Sequence, residues 1–122
     1  MPSVLLIEDD LEYCKLISRI LTDHGYEVQT ANDGDKGLQV YRNHPADVIL
    51  TDMIMPEMDG VALIRALKHD DPKPRIIAMS GGGRHLHARF NLEIAETLGV
   101  HACLTKPFSK DELLFTLQDI IH

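Results

Sequence analysis

Four short apolar runs and one alternating segment punctuate this chain, and between them apolar residues recur every three or four positions. Val4–Ile7 is continuous and too short for a helix, so it reads as a buried strand. Leu11–His24 follows with helical spacing at Cys14, Leu16, Ile17, Ile20 and Leu21, and Gly25 stands where a helix stops. Glu27–Ala31 alternates as a strand, and Asn32-Asp33-Gly34 carries turn chemistry. Gly34–His44 reads as a helix with Leu38 and Tyr41 inward, and Val48–Thr51 as a second buried strand. Asp59 suits the cap of a helix from Gly60 to Lys68, which carries Val61, Leu63, Ile64 and Leu67. Ile76–Met79 is the next strand, closed by Gly81-Gly82-Gly83, and a helix is expected within Leu86–Leu98. Ala102–Thr105 is the fifth strand. Ser109 then caps a last helix from Lys110 to about Ile121, whose apolar side holds Leu113, Leu114, Leu117, Ile120 and Ile121.

The alternation amounts to five β-then-α units. All-apolar strands separated by amphipathic helices imply an α/β domain, doubly wound, with a parallel sheet covered on both faces. In such sheets ligands bind beyond the carboxyl ends of the strands. A length of 122 residues suits one domain over 1–122, long enough to bury a core.

Composition narrows the function. Apolar content of 44% and charged content of 25% are those of an ordinary globular protein. No apolar run reaches the roughly 18 residues that a membrane helix needs, and no basic segment precedes an apolar stretch at the N-terminus. A cytoplasmic protein without membrane contact is expected. The formal net charge of -7 argues against direct nucleic-acid binding, which needs a basic patch, and favours a cation or a basic partner face. Cys14 and Cys103 lack metal-ligand spacing and read as reduced thiols.

The strand ends hold the chemistry. The first strand runs into Glu8, Asp9 and Asp10, the third ends at Thr51-Asp52, the fourth at Ser80 and the fifth at Lys106-Pro107. Adjacent carboxylates repel, so the cluster either spreads into solvent or is offset by a cation. In isolation, Glu8-Asp9-Asp10 is equally well read as the solvated acidic first turn of a helix. Gathered at one sheet edge, however, these residues suit phosphoryl transfer to a carboxylate. Mg²⁺ takes one or two carboxylates and phosphate oxygens, Asp52 is a nucleophile, and Lys106 and the Ser80 hydroxyl clamp the transferring group. Gly81-Gly82-Gly83 lacks the Gly-Lys-Ser/Thr of a nucleotide loop and reads as flexible chain. His85 and His87 read as loop residues, and the tyrosines and phenylalanines as core or half-buried positions.

Over essentially all its length the chain resembles the receiver domain of two-component response regulators. LLIEDD, VILTDMIMPEMDG, IIAMS and LTKPF carry the resemblance, in order, each at a strand. It implies a flavodoxin-like (βα)5 fold with strand order 2-1-3-4-5. It also implies Asp52 as phospho-acceptor and Asp9 as a direct Mg²⁺ ligand, with Glu8 acting largely through metal-bound water. The Ile54 backbone carbonyl is implied as a further ligand, Ser80 as the switch hydroxyl, Lys106 as the phosphoryl-pairing lysine and a cis bond before Pro107. The implied donor is a histidine kinase or histidine phosphotransfer protein. The implied output is a partner protein or fused effector domain, with a phosphorylation-dependent homodimer as one form. Such a domain catalyses only its own phosphorylation and slow dephosphorylation.

Two features depart from the family's pattern. Cys103 stands where an aromatic residue commonly couples phosphorylation to the outer face, and Ser80–Gly99 is longer than usual. They sustain an alternative, a receiver fold used as an interaction module with altered or no phospho-switching. An Mg²⁺-dependent phosphatase fits less well, since Glu8-Asp9-Asp10 is not the Asp-x-Asp of dehalogenase-like enzymes and no cap segment is evident.

Overall fold

In the computed structural model, the described residues are 1–53, 60–70, 74–81, 93 and 96–121. Their elements in chain order are β1 (Ser3–Ile7), α1 (Leu11–Asp23), β2 (Glu27–Ala31), α2 (Gly34–Asn43), β3 (Val48–Asp52), α3 (Gly60–Asp70), β4 (Ile76–Ser80), β5 (Ala102–Thr105) and α4 (Lys110–Ile121). The strands form one sheet in the order β2-β1-β3-β4-β5, and every pairing is parallel.

The two-residue period of the strands builds two cores. Val4, Leu6, Val48, Leu50, Ile77, Met79 and Leu104 point to one face. There they meet Cys14, Ile17 and Leu21 of α1 and Leu113 and Leu117 of α4. Leu5, Ile7, Ile49, Ile76 and Ala78 point to the other, against Leu38 and Tyr41 of α2 and Leu63, Ile64 and Leu67 of α3. Both faces being covered is why the central strands read as unbroken apolar runs. Strand β2 lies at the sheet edge, and its Glu27, Gln29 and Thr30 are exposed, as suits an edge.

Side-chain caps set the helix starts. Asp10 accepts from the N–H groups of Glu12 and Tyr13, Asp33 from Lys36, and Ser109 from Glu112. Asp33, expected only as a turn residue, is thus the cap of α2. Gly25 has a φ of 90°, the left-handed conformation that ends α1 without Cβ strain.

Two expectations need correction. Leu16 was placed with the apolar positions of its helix and Phe115 among core or half-buried rings, but they are 55% and 70% exposed. Both lie on sides of α1 and α4 that no described element covers. The expected Asp59 cap and most of the helix within Leu86–Leu98 lie outside the described residues. At its end, Glu93, Glu96 and Thr97 are helical, and the Thr97 hydroxyl donates to the Glu93 carbonyl.

Candidate phosphoryl-transfer site

Register assembles the site. The β1–β3 ladder ends at Ile7 opposite Thr51, so the next step on each strand sets down Glu8 and Asp52. Asp52 is itself opposite Met79, one residue before Ser80. Ser80 is opposite Thr105, and the Lys106 N–H donates to the Ser80 carbonyl at 2.7 Å. Four strand ends therefore bring Glu8, Asp52, Ser80 and Lys106 to the carboxyl edge of the sheet.

Glu8, Asp9 and Asp52 each present a carboxylate oxygen, all within 4.8 Å of one another. Glu8 is 1% exposed and Asp52 8%, while Asp9 faces solvent. The Lys106 ammonium, on a side chain 18% exposed, donates to the Glu8 carboxylate and, at 3.3 Å, to Asp52 Oδ2. The Ser80 hydroxyl is fully buried and finds no hydrogen-bond partner among the described residues. Asp10 does different work from its neighbours, capping α1. Ile54, expected to lend its carbonyl, lies outside the described residues, as do His85 and His87.

Titration follows the crowding. Burial raises the Glu8 pKa; Lys106 opposes this and nearby Asp52 adds to it. Burial and the Glu8 carboxyl raise Asp9. Burial pulls the Lys106 ammonium down, but its carboxylate partners outweigh this and hold its pKa above the ordinary value. Lys106 is therefore a fixed positive charge at neutral pH. An all-oxygen cluster of this density is a donor set that a hard divalent cation accepts.

Backbone proximity completes the edge. A Cβ on Gly81 would come within 2.4 Å of the Lys106 Cβ, so glycine lets the ends of β4 and β5 close on each other. The Lys106–Pro107 bond is cis, as the resemblance implies. Cys103 is half-buried, pairs in register with Ala78 and packs against the core shared by α2 and α3. Burial, and secondarily the Glu96 carboxylate, push its thiol up to about 11, so it stays protonated at neutral pH.

The family model of the response regulator receiver domain matches residues 4–118. The chain belongs to this family. Among curated relatives, the transcriptional regulatory protein CpxR homolog of Haemophilus influenzae is 31% identical over 122 residues, all of this chain and 51% of that protein. The transcriptional regulatory protein GlrR of Escherichia coli is 34% identical over 119 residues, 98% of this chain and 26% of that protein. The receiver domain thus spans about half of one relative and about a quarter of the other. Among solved structures, a response regulator receiver domain protein of Clostridium thermocellum superposes with a TM-score of 0.90 at 28% identity. That match covers 99% of this chain and 94% of the other. Vibrio cholerae chemotaxis protein CheY4 superposes at 0.86 and 30% identity, covering 98% of both. Among the described residues of this receiver domain, no helix is long and apolar enough to cross a membrane.

One neighbour of the site was missed in the sequence. Tyr13, read as an ordinary half-buried ring, lies under the Lys106 ammonium, 4.6 Å from its ring centroid. Its position four residues after Asp9, in the first turn of α1, was the available signal.

Proposed function

We propose that this receiver domain accepts a phosphoryl group on Asp52 from the phosphohistidine of a histidine kinase or histidine phosphotransfer protein. The observation that carries this reading is the pairing at one sheet edge of a nearly buried strand-end Asp52 with the Lys106 ammonium beside it. An Asp52 carboxylate oxygen attacks phosphorus. The new O–P bond forms as the donor's N–P bond breaks, and the electron pair leaves with the imidazole nitrogen, which takes up a proton. Lys106 neutralises charge on the transferring oxygens. Ser80 supplies a hydroxyl that has no other described partner.

Glu8, Asp9 and Asp52 fit a magnesium site, with the Ile54 carbonyl as a further ligand by family resemblance. When bound, Mg²⁺ neutralises the carboxylates and the phosphoryl oxygens. The domain acts on no substrate but itself, catalysing its phosphorylation and, slowly, its hydrolysis. Charge added at Asp52 biases a two-state element made of the chain after Ser80 and strand β5. Cys103 gives that element a small thiol in place of a swinging ring. Output passes to a partner protein or to a fused effector domain, with a phosphorylation-dependent homodimer as one form. A fused effector accords with relatives that are about two to four times longer. The setting is the cytoplasm.

The test is intact mass and a phosphate-affinity gel after incubation with acetyl phosphate, with and without Mg²⁺. The expected result is a Mg²⁺-dependent adduct of one phosphoryl group, absent from Asp52→Asn. A folded wild type that neither binds Mg²⁺ nor gains the adduct would instead support the interaction-module reading.

A further inference from the structure

Tyr13 is the third residue of α1, and its backbone N–H is one of the two that donate to the Asp10 cap, at 3.2 Å. The cap fixes the ring's starting point beside the acid cluster. Lys106 Nζ stands 4.6 Å above that ring. Phe108, two residues beyond Lys106, makes a T-shaped contact with the same ring at a centroid distance of 6.1 Å and an interplanar angle of 78°. The ammonium thus has carboxylates on one side, Glu8 and Asp52, and an aromatic ring on another. A lysine head is a point charge on a flexible four-carbon stem, so two carboxylates alone leave its position loosely set. A ring beneath a largely desolvated ammonium adds attraction from a direction the carboxylates do not supply.

We propose that Tyr13 is a positioning residue for Lys106, holding the ammonium at the acid cluster where it faces the group arriving at Asp52. The catalytic consequence rests on the phospho-acceptor reading, while the hold on Lys106 does not. The ring, not the hydroxyl, does the holding. Tyr13→Leu removes the ring at similar bulk, and Tyr13→Phe restores it.

The experiment measures the initial rate of Mg²⁺-dependent labelling by acetyl phosphate across donor concentrations. Wild type, Tyr13→Phe and Tyr13→Leu are compared, each alone and with Lys106→Ala. NMR of the Lys106 ε-methylene protons accompanies it, because a ring beneath them shifts them upfield. Tyr13→Leu is expected to lower the saturating rate about three- to tenfold, as loss of one such contact implies. Tyr13→Phe should keep the wild-type rate, and Tyr13→Leu should cost nothing further once Lys106 is alanine. The upfield shift should persist in Tyr13→Phe and vanish in Tyr13→Leu. A wild-type rate in Tyr13→Leu, or an equal loss with and without Lys106, overturns the proposal. So does an ε-methylene signal that ignores the ring. If wild type neither binds Mg²⁺ nor takes a phosphoryl group, the phospho-acceptor reading fails, and the NMR shift still decides whether Tyr13 holds Lys106.

Discussion

At residue 81 the decisive quantity is a distance. An alanine Cβ there would meet the Lys106 Cβ at 2.4 Å and the Lys106 carbonyl at 3.0 Å, contacts that require something to move. One partner is backbone, already tied by the Lys106 N–H to the Ser80 carbonyl, so the strand ends cannot part without losing that bond. Gly81→Ala is expected to destabilise the fold by about 1–3 kcal/mol, the usual range for overpacking. It should also slow labelling by acetyl phosphate, since the displaced residue is Lys106. Urea unfolding alongside the labelling rate checks both. A variant as stable and as fast as wild type would mean that the two strands separate freely. In the sequence, three consecutive glycines after a strand were legible as flexible chain. That Gly81 is packed against Lys106 was not, because its neighbour comes from another strand.

Within one helix start, neighbouring aspartates divide the labour, and the division can be measured. Asp10 caps α1 through two backbone N–H groups, whereas Asp9 points its carboxylate to the cluster with Glu8 and Asp52. Asp10→Ala should cost about 0.5–2 kcal/mol of stability, as lost caps do, and leave Mg²⁺ affinity close to wild type. Asp9→Ala should do the reverse. Its charge is disfavoured where it sits, so removal does not weaken the fold, but the cluster loses an oxygen donor. Chelator-treated thermal unfolding and Mg²⁺ titration separate the two, and equal effects in both variants would defeat the assignment. At this scale much was legible. Short apolar runs marked four of the five strands, alternation marked β2, and Gly25 and Ser109 marked helix ends. Strand order came only by family resemblance, since periodicity does not say which strands are neighbours. Leu16 and Phe115 went wrong for a related reason. Helical spacing gives the angle at which a side chain leaves the axis, but not whether another element covers it. Tyr13 was missed because its partner, Lys106, is brought to it only by closure of the whole sheet.

Over the molecule as a whole, the sheet collects charge that no local rule would place together. Three carboxylates share the carboxyl edge, and among the described residues Lys106 is the cation paired with them. The pKa directions agree on the imbalance. Burial raises Glu8 despite Lys106, and Lys106 itself is raised despite burial, because the negative charges around it prevail. A carboxyl whose folded pKa lies above its ordinary 4.5 penalises the fold once it is ionised. That penalty is fully present above the folded pKa and disappears as pH falls below the unfolded one, where Glu8 is protonated in both states. Glu8→Gln, which removes the charge and keeps the shape, is therefore expected to raise Tm at neutral pH in the absence of divalent cations. Its advantage should shrink to nothing as pH falls through 4.5. Mg²⁺ should reverse the order, because a ligand that binds the folded state adds stability that grows with the logarithm of one plus its concentration over its Kd, and wild type, with the full donor set, has the lower Kd. Thermal unfolding of both proteins from acid to neutral pH, with chelator and with Mg²⁺, is the measurement. A Gln variant less stable than wild type in chelator at neutral pH would show that Lys106 fully compensates Glu8, and that the edge is not held in excess negative charge for a cation. The expected result makes the acid cluster a place where stability is given up for binding, as functional sites commonly are.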